Sequence, residues 1–371
     1  MHGIIICVPI YTIATFLFGA SITAGLVVFH VAFVPLLFKY SKAFQRNLIF
    51  ANFVQWPLNI DYEDPSQSGI QGGRNISIEY NSRVDNCRVK IGVWHILPKS
   101  SYEKLKGSFG GNVDKDDLSR QLDEELANSK LPVMFYCHGN SNSRAASHRI
   151  ELYKFFQQMD FHTIAFDYRG YGDSTNIVPS ERGVVEDSVV VYDWLNNTIR
   201  AAQKRPAVFV WGHSLGTGIS SHMLGNLQEL SQAVETKPLP QANGLILEAP
   251  FNNLADEVAH HPLAKLVSWL PYFESTFVSP FVRNDKYSFN SDEHLSKVDN
   301  LPVLILHAKD DVIVPFVVGV KLFRAVLKSR NNDESKIKLH AFDKSERLGH
   351  KFICHAKQLP TVVGEFVSRH R

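Results

Sequence analysis

Residues 208–218 read VFVWGHSLGTG, and this stretch decides the fold prediction. Its first four residues form an apolar run of strand type that stops at a glycine, a residue that strand interiors disfavour because it adds no packing. Gly212, Ser214 and Gly216 then form the pattern GxSxG. This pattern is typical of a sharp turn between a strand and a helix that holds the serine Oγ clear of the sheet. Residues 219–230 can form the helix that the pattern requires, while an ordinary glycine-rich turn is the alternative.

Short apolar runs recur from residue 131 onward, with segments of helical length between them. The runs are 133–136, 163–166, 207–211, 245–247, 303–306 and 337–340, and the helical segments include 145–158, 183–198 and 317–327. Such alternation predicts a parallel sheet, and runs that are apolar throughout indicate strands buried on both faces. Together with GxSxG, it predicts an α/β-hydrolase fold, with a mostly parallel sheet and helices on both of its faces.

Residues 251–297 depart from this alternation of short apolar runs and helical segments. The stretch contains no glycine and carries large apolar residues, among them Leu263, Trp269 and Phe277. It is too apolar for a simple loop and too long for one crossover helix, so we predict a helical lid insertion that covers the carboxyl edge of the sheet. An apolar inner face of such a lid would suit acyl chains. Packing of these side chains into the core is the alternative.

The composition is that of a folded protein and excludes several functional classes. The chain has 371 residues, of which 44% are hydrophobic and 20% charged. The formal net charge is +2 with both signs interspersed, so no field attracts a phosphate backbone and no nucleic-acid partner is predicted. The four cysteines follow no metal-ligand spacing, and neither a metal nor another cofactor is predicted. Protein partners cannot be predicted from the sequence.

Residues 1–47 are predicted to form a membrane anchor with its juxtamembrane segment, and residues 48–371 the catalytic domain. No Asp, Glu, Lys or Arg occurs in residues 3–38. A helix between Pro9 and Pro35 would measure about 37 Å, which crosses a hydrocarbon core of about 30 Å with a moderate tilt. A cleavable signal peptide is the alternative, but the apolar run is too long and its start is uncharged. We therefore predict an uncleaved, single-pass transmembrane helix.

The residues that follow this predicted span give conflicting signals about its orientation. Lys39, Lys42 and Arg46 would place the catalytic domain in the cytosol under the positive-inside rule. Asn75 in NIS and Asn196 in NNT are candidate glycosylation sites, and such sequons are used only in the secretory lumen. The residues alone leave the orientation open.

A serine hydroxyl becomes a nucleophile at neutral pH when a histidine takes its proton and a carboxylate holds that histidine. In this fold both follow the serine in sequence, at the ends of later strands. The run VLILHAKDDVIVP, residues 303–315, delivers Asp310 and Asp311 to the carboxyl edge of the sheet. We predict Asp311 as the acid, because hydrolases commonly place it three residues after a small residue and three before Val-Pro. Asp310 is then a loop cap or a solvated charge.

The predicted base is His350. It follows Gly349 in the loop after the last strand candidate, where an imidazole is free to reach across the edge of the sheet. His340 lies inside a strand candidate and His370 near the end of the chain. His355, in a segment predicted to be helical, is the second candidate.

The reaction also needs hydrogen-bond donors for the oxyanion that develops in the transition state. The first is predicted to be the backbone N–H of Asn140, since the strand candidate 133–137 runs into the sequence HGN there. The second is the N–H of Leu215, directly after the nucleophile. A simple tight turn is the alternative for HGN.

Six segments carry a family resemblance. WGHSLGTG, FYCHGN, FDYRGYGDS, LILEAPF, LILHAKDDVIVPF and GHKF occur here as they do in the α/β-hydrolase domain-containing protein 12 family, which the sequence resembles from about residue 48 to the C-terminus. The resemblance implies a serine lipase of the endoplasmic reticulum that acts on lysophosphatidylserine and monoacylglycerol, with Ser214 as nucleophile, Asp311 as acid and His350 as base. It also implies a lumenal, glycosylated catalytic domain. The segment before the predicted span is shorter here than the cytosolic tail of that family.

The sequence thus predicts a membrane-anchored serine hydrolase that cleaves the acyl ester of a single-chain lipid. The anchor beside an apolar lid favours a lipid over a soluble ester. A thioesterase or peptidase of the same fold would use the same three residues, and a catalytically inactive membrane-bound scaffold is the non-enzymatic alternative. Arg169, in DYRGYGDS, either attracts an anionic head group or fixes its own loop.

Overall fold

The computed structural model describes residues 2–109, 115–200, 205–282 and 286–371. Its strands are β1 Gly73–Asn81, β2 Arg88–Ile96, β3 Val133–Cys137, β4 His162–Phe166, β5 Val208–His213, β6 Gly244–Glu248, β7 Val303–Ala308 and β8 Ile337–Phe342. They form one sheet in the order β1-β2-β4-β3-β5-β6-β7-β8. From β4 to β8 the neighbouring strands are parallel, whereas β1 pairs with β2 and β2 with β4 in antiparallel fashion. The predicted α/β-hydrolase fold with a mostly parallel sheet is confirmed.

The edge strand β1 is an element that the sequence pattern did not predict. Its positions alternate between half-buried and exposed, and its residues are largely polar. One of its edges pairs with β2 while the other is open, a place where polar side chains discourage pairing with other chains. A strand of this kind carries no apolar run by which it could be recognised.

The α-helices surround this sheet. They are α1 His2–Phe18, α2 Ala20–Val28, α3 Val34–Tyr40, α4 Lys42–Phe50, α5 Lys99–Leu105, α6 Lys115–Asn128, α7 Ser147–Gln158, α8 Glu181–Thr198, α9 Leu215–Gly225, α10 Leu227–Ala233, α11 Leu254–His260, α12 Ser279–Val282, α13 Ser291–Ser296, α14 Phe316–Ser329 and α15 Leu359–His370. Short 3₁₀ or π turns lie at Phe29–Phe33, Pro65–Ser68, Lys106–Ser108, Pro262–Leu266, Glu274–Val278, Lys344–Glu346 and Ile353–His355.

Each face of the sheet has its own apolar core. Phe135 of β3 belongs to one cluster, together with residues of α8, α9 and α14. Tyr136, the next residue, belongs to the other cluster, with residues of α7 and α15. Successive residues of a strand point to opposite faces, so a strand covered by helices on both sides must be apolar throughout. The expected helices on both faces are therefore present.

The insertion between β6 and β7, residues 251–297, is largely helical as predicted, although residues 283–285 lie outside the described part. Several of its large side chains, among them Leu270, Phe277 and Phe281, are buried in the same cluster as α8 and α9. Core packing therefore accounts for these residues, whereas Leu263 is exposed.

The N-terminal helices differ from the prediction. The helical run breaks at Gly19, whose φ of 82° and ψ of 164° are adopted almost only by glycine. Pro9 lies inside α1, and Pro35 lies inside the continuous helical run Ala20–Tyr40, shortly after the π turn Phe29–Phe33. The limits predicted for the span, Pro9 and Pro35, are thus wrong. The candidate span is Ala20–Tyr40, with 21 residues, and a shorter apolar helix precedes it.

Helix α4 crosses the boundary predicted between residues 47 and 48. Ile49 and Phe50, at its end, are buried in the apolar cluster of the domain, and Gln45 donates a hydrogen bond to the carbonyl of Phe38 (2.7 Å). One face of α4, which begins in the predicted juxtamembrane segment, therefore packs on the domain.

Candidate active site

Ser214 stands between β5 and α9 in the turn that its sequence pattern predicts. Its φ of 53° and ψ of −120° are strained for a residue with a side chain, and its N–H donates to the carbonyl of Glu248 (3.0 Å). A Cβ on Gly212 would lie 2.5 Å from the carbonyl oxygen of Gly216, and one on Gly216 would lie 2.0 Å from that of Cys137. The turn therefore requires both glycines of GxSxG.

The predicted acid and base are in contact. His350 Nδ1 lies 2.7 Å from Asp311 Oδ2, although 39 residues separate them in sequence. Asp311 follows β7, and His350 follows β8 in the loop after the 3₁₀ turn Lys344–Glu346. Because β7 and β8 are parallel neighbours, their carboxyl ends bring the two loops to the same edge.

The carboxylate of Asp311 is held from two sides. Its Oδ1 accepts the N–H groups of Ile313 (2.8 Å) and Val314 (3.0 Å), which fixes the oxygen that His350 does not use. Burial alone would raise the pKa of Asp311, but hydrogen bonds from His307 and His350 outweigh it and hold that pKa well below its usual value. An ionised carboxylate at this position orients the imidazole and stabilises its protonated form.

Asp310 acts on the same loop from the other side. Its Oδ2 accepts the N–H of Gly349 (3.0 Å), directly before His350. Of the two roles left to it by the sequence, loop cap and solvated charge, the geometry supports the loop cap. The second candidate base, His355, pairs its Nε2 with Glu151 instead.

His213, directly before Ser214, contacts the loop of His350. The Nε2 of His213 lies 2.9 Å from the carbonyl of His350, and the two imidazole rings are 5.0 Å apart. Ser214 Oγ makes no hydrogen bond to any residue that the structure describes. In enzymes without bound substrate, the bond between nucleophile and base is often long and tightens only in the complex.

Two backbone donors stand ready beside the nucleophile. The N–H groups of Asn140 and Leu215 donate no hydrogen bond to any residue in the described ranges. Gly139 lies against the serine, because a Cβ placed on it would be 3.4 Å from Ser214 Cβ. Free N–H groups in this place are what a developing oxyanion requires, so the geometry is compatible with the predicted role of both residues.

Some residues around this edge escaped the sequence analysis. Burial and the charge of His350 together lower the pKa of His213 to about 3. On α11, burial and the charge of Asp311 raise the pKa of Glu257 to about 8. The position of His213 inside GxSxG was a usable signal. For Glu257 no local pattern existed, because only the folding of the insertion brings it near Asp311.

The surface beside these groups is apolar. Val312 and Ile313, directly after Asp311, are 68% and 41% exposed, and Phe352, two residues after His350, is 39% exposed. Ser214 itself is 9% exposed. Large apolar side chains that face solvent next to reactive groups are typical of a surface that meets an apolar ligand or membrane.

Arg169 lies in the protein interior. Its guanidinium is fully buried and pairs with Glu186 (2.7 Å), Asp187 (2.9 Å) and Asp85, and it donates to the hydroxyl of Tyr80 (2.6 Å). Of the two roles considered for this residue, fixing its own loop is the one that the contacts support.

The two candidate glycosylation sites differ in access. Asn196 is 5% exposed within α8, where its Nδ2 donates to the carbonyl of Tyr192 (2.6 Å), so the folded protein has no room for a glycan there. The prediction for Asn196 is therefore corrected. Asn75 is half-buried in β1, and its Nδ2 donates to Glu63 (2.9 Å).

Among the residues that the structure describes, two groups of side chains bring possible metal-ligand atoms within 4.8 Å of one another. They are Glu151–Cys354–His355 and Glu181–His222–His294. In the second group Glu181 already accepts the N–H groups of Ser288 (2.7 Å) and Phe289 (3.0 Å) and lies 2.8 Å from His222. This carboxylate thus ties the end of the insertion to α8 and α9.

Comparisons with known proteins agree with this arrangement. A family described as alpha/beta hydrolase fold matches residues 132–236. The chain is 35% identical over 341 residues to lysophosphatidylserine lipase ABHD12 of Rattus norvegicus, covering 92% of this chain and 78% of the relative. It is 32% identical to protein ABHD12B of Homo sapiens, over 87% of this chain and 80% of the relative.

Solved structures support the fold. An esterase of Pyrococcus furiosus superposes with a TM-score of 0.53 at 18% identity, over 85% of this chain and 97% of the esterase. At this identity the likeness concerns the fold alone. From the sequence similarity along nine-tenths of its length, the chain belongs to the ABHD12 family of α/β-hydrolases.

Proposed function

We propose that this protein is a membrane-anchored serine hydrolase that cleaves the acyl ester of single-chain lipids, namely lysophosphatidylserine, other lysophospholipids and monoacylglycerol. The observation that carries the proposal is the contact of His350 Nδ1 with Asp311 Oδ2 at 2.7 Å, at the sheet edge where Ser214 stands on its strained turn. A serine, a histidine and an aspartate at one edge of a sheet can transfer the serine proton to the histidine, which none of them does alone.

In the proposed mechanism Ser214 Oγ attacks the ester carbonyl while His350 Nε2 takes its proton. Asp311 holds the imidazole through Nδ1 and stabilises the imidazolium. The N–H groups of Asn140 and Leu215 receive the oxyanion. His350 then returns the proton to the leaving glycerol oxygen, and water attacks the acyl-enzyme by the same steps to release the fatty acid.

The choice of a lipid substrate is supported by two kinds of observation. Several relatives carry the name lysophosphatidylserine lipase, and the chain covers about four-fifths of each. The exposed apolar side chains of Val312, Ile313 and Phe352 adjoin the candidate acid and base. A single-chain lipid offers its acyl tail to such a surface and its head group to water.

For the location we propose the membrane of the endoplasmic reticulum, with the catalytic domain on the lumenal side. This placement rests on the family resemblance. The apolar N-terminal helices supply the attachment to the bilayer.

The first experiment tests the nucleophile. Purified wild-type protein should react with a fluorophosphonate probe and hydrolyse lysophosphatidylserine, and Ser214→Ala should lose both activities. The matched control is Ser221→Ala on the same helix, because the buried hydroxyl of Ser221 has no partner among the described residues and its removal leaves no group unsatisfied. Labelling of Ser214→Ala at the wild-type rate would refute the proposal.

A second experiment separates the substrate classes. Turnover of lysophosphatidylserine, a second lysophospholipid, monoacylglycerol and a palmitoylated peptide is compared at equal concentration. Faster turnover of the peptide would favour an acyl-protein thioesterase. Probe labelling without turnover of any of them would point to a substrate of another class.

A further inference from the structure

The apolar N-terminal residues form a helical hairpin with its turn at Gly19. Tyr11 of α1 and His30 of the following helical run share a side-chain hydrogen bond, and their rings are 6.0 Å apart. In one continuous helix, residues 19 positions apart would be separated by about 28 Å. The two arms therefore run antiparallel.

The hairpin has the surface of a segment immersed in hydrocarbon. Around its turn the exposed side chains are large and apolar, among them Ile13, Phe16, Leu17, Phe18, Ile22 and Leu26. Small residues are the buried ones, with Ala14 and Thr23 each less than a tenth exposed, as is common where membrane helices pack closely.

Most polar side chains of the hairpin find partners within it, although His30 Nε2 is buried without a partner among the described residues. Thr12, Thr15 and Thr23 each donate a hydroxyl hydrogen bond to the carbonyl four residues earlier, at 2.8 to 3.0 Å. Tyr11 and His30 pair with each other. Polar groups placed in a bilayer must find such partners, because no water is available there.

The open end of the hairpin rests on the insertion of the catalytic domain. On the first arm, Cys7 Sγ lies 3.5 Å from the carbonyl of Leu266. On the second arm, the hydroxyl of Tyr272 donates to the carbonyl of Val31. Further along, the rings of Phe38 and Phe277 are 4.7 Å apart.

These contacts shorten the part of the chain that lipid can surround. The helical run Ala20–Tyr40 could cross a bilayer by its length, but its second half packs against the insertion. The ring of His30 also packs against Trp269 of the insertion, with the ring centres 6.5 Å apart. Residues 20–29, which project beyond these contacts, span about 14 Å, and residues 8–19 of the other arm span about 17 Å. A hydrocarbon core is about 30 Å thick, so each arm reaches about as far as one leaflet.

We propose that residues 6–38 enter the membrane as a hairpin from the side of the catalytic domain and return to it, instead of crossing once. Both ends of the hairpin are then on the same side of the bilayer, and the insertion lies against the lipid head groups. The exposed Lys39 and Lys42, at the exit of the second arm, are placed to meet the phosphates of those head groups. The hairpin does not depend on the proposed hydrolase activity.

The test uses the full chain, expressed in cells with a glycosylating secretory pathway. A sequon tag is placed before Met1 in one version and after Arg371 in another, with Ser77→Ala and Thr198→Ala to remove the sequons of the chain itself. With the catalytic domain on the lumenal side, as proposed above, the hairpin predicts that both tags are glycosylated and that the protein resists extraction by alkaline carbonate. Glycosylation of neither tag, with the same resistance, would support the hairpin but overturn the lumenal location. Glycosylation of one tag only, or release by carbonate, would overturn the proposal.

A pair of variants tests the turn. Gly19 and Gly25 both have open space where a Cβ would go, but only Gly19 has positive φ. Gly19→Ala strains the turn and favours a continuous helix, so it should raise the fraction of molecules in which only one tag is glycosylated. Gly25→Ala should leave that fraction unchanged. Equal fractions for the two variants would overturn the assignment of the turn.

Discussion

Two groups of buried carboxylates, one around Arg169 and one at the candidate active site, contain similar acidic side chains but pair them with different basic groups. In the first group Glu186 and Asp187 surround a guanidinium, a cation that does not release its proton in proteins. In the second, Asp311 meets the imidazole of His350, and an imidazole, unlike a guanidinium, can act as a base. Both aspartates are buried, so the partner, and not the burial, decides whether a proton can move.

The electrostatics of the two groups follow from these partners. Burial alone would lower the pKa of the Arg169 guanidinium, but Asp187 and Glu186 raise it above its ordinary value. The guanidinium of Arg169 therefore stays charged at every physiological pH. Asp311 is kept ionised by hydrogen bonds, and its partner is an imidazole, a side chain that can accept a proton. The first group stabilises the fold, and the second is arranged for proton transfer.

The largest effect is expected when the pair of Asp311 and His350 is disrupted. Asp311→Asn keeps the shape of the side chain but removes the charge that stabilises the imidazolium, and in a comparable triad this substitution lowers kcat about 10⁴-fold. We expect a loss of roughly 10³ to 10⁴ in lysophospholipid hydrolysis, with a thermal unfolding temperature within a few degrees of wild type. Steady-state kinetics and scanning calorimetry measure the two. Activity within tenfold of wild type would argue against the role of Asp311.

Breaking the group around Arg169 should lower the stability of the protein but not the activity of the molecules that remain folded. Arg169→Met leaves buried carboxylates without their cation, which typically costs about 3 to 5 kcal/mol of folding free energy. We expect strong destabilisation in urea, while the molecules that remain folded keep most of their activity. Arg182→Met, an exposed arginine on the same helix as Asp187, is the control and should change little. Unchanged stability of Arg169→Met would contradict the assignment.

A smaller effect sharpens the contrast between neighbouring aspartates. Asp310→Asn keeps an oxygen that can accept the N–H of Gly349, so the loop of His350 should be loosened but not released. We expect kcat to fall about tenfold, equivalent to about 1.4 kcal/mol, and far less than for Asp311→Asn. Equal losses for the two variants would contradict the distinction between acid and loop cap.

The smallest effect concerns a third buried carboxyl group, Glu248, which accepts a hydrogen bond from Trp211 Nε1 (2.8 Å). Burial raises its pKa to about 8, so its contribution to stability is present below its usual pKa and is lost as pH rises through about 8. Glu248→Gln cannot ionise. The unfolding temperature of the variant relative to wild type should therefore rise between pH 5 and pH 8, on the order of 2 °C. A relative temperature that does not change with pH would show that Glu248 is ionised throughout.

The parts of the structure that could be predicted are those with a local signature. Ser214 is recognisable by the two glycines of GxSxG. Asp311 and His350 follow apolar strands, and the parallel arrangement of these strands brings the two loops together. The network of Arg169 has no such signature, since Asp85 lies 84 residues away. Strand β1 has a weaker signature than the central strands, because only Ile76, Ile78 and Tyr80 pack against the core and polar residues alternate with them.

The N-terminal turn shows a different limit of sequence reasoning. The sequence predicts Pro9 and Pro35 as the limits of the span, because proline commonly interrupts helices. The helical run is in fact broken by Gly19, through a backbone conformation that other residues avoid. An apolar segment of this length fits one crossing or one hairpin equally well by hydropathy. The proposed hairpin is supported by the contact of Tyr11 with His30 and by the contacts with the insertion.

The apolar side chains of Val312, Ile313 and Phe352 have a consequence for what happens after catalysis. A released fatty acid is poorly soluble in water and would dissolve into the surrounding leaflet, whereas the phosphorylated glycerol would diffuse away. Turnover on vesicles would then proceed without a carrier for the fatty acid. In a small detergent micelle the liberated chains would accumulate beside the serine, and adding albumin to absorb them would restore the rate.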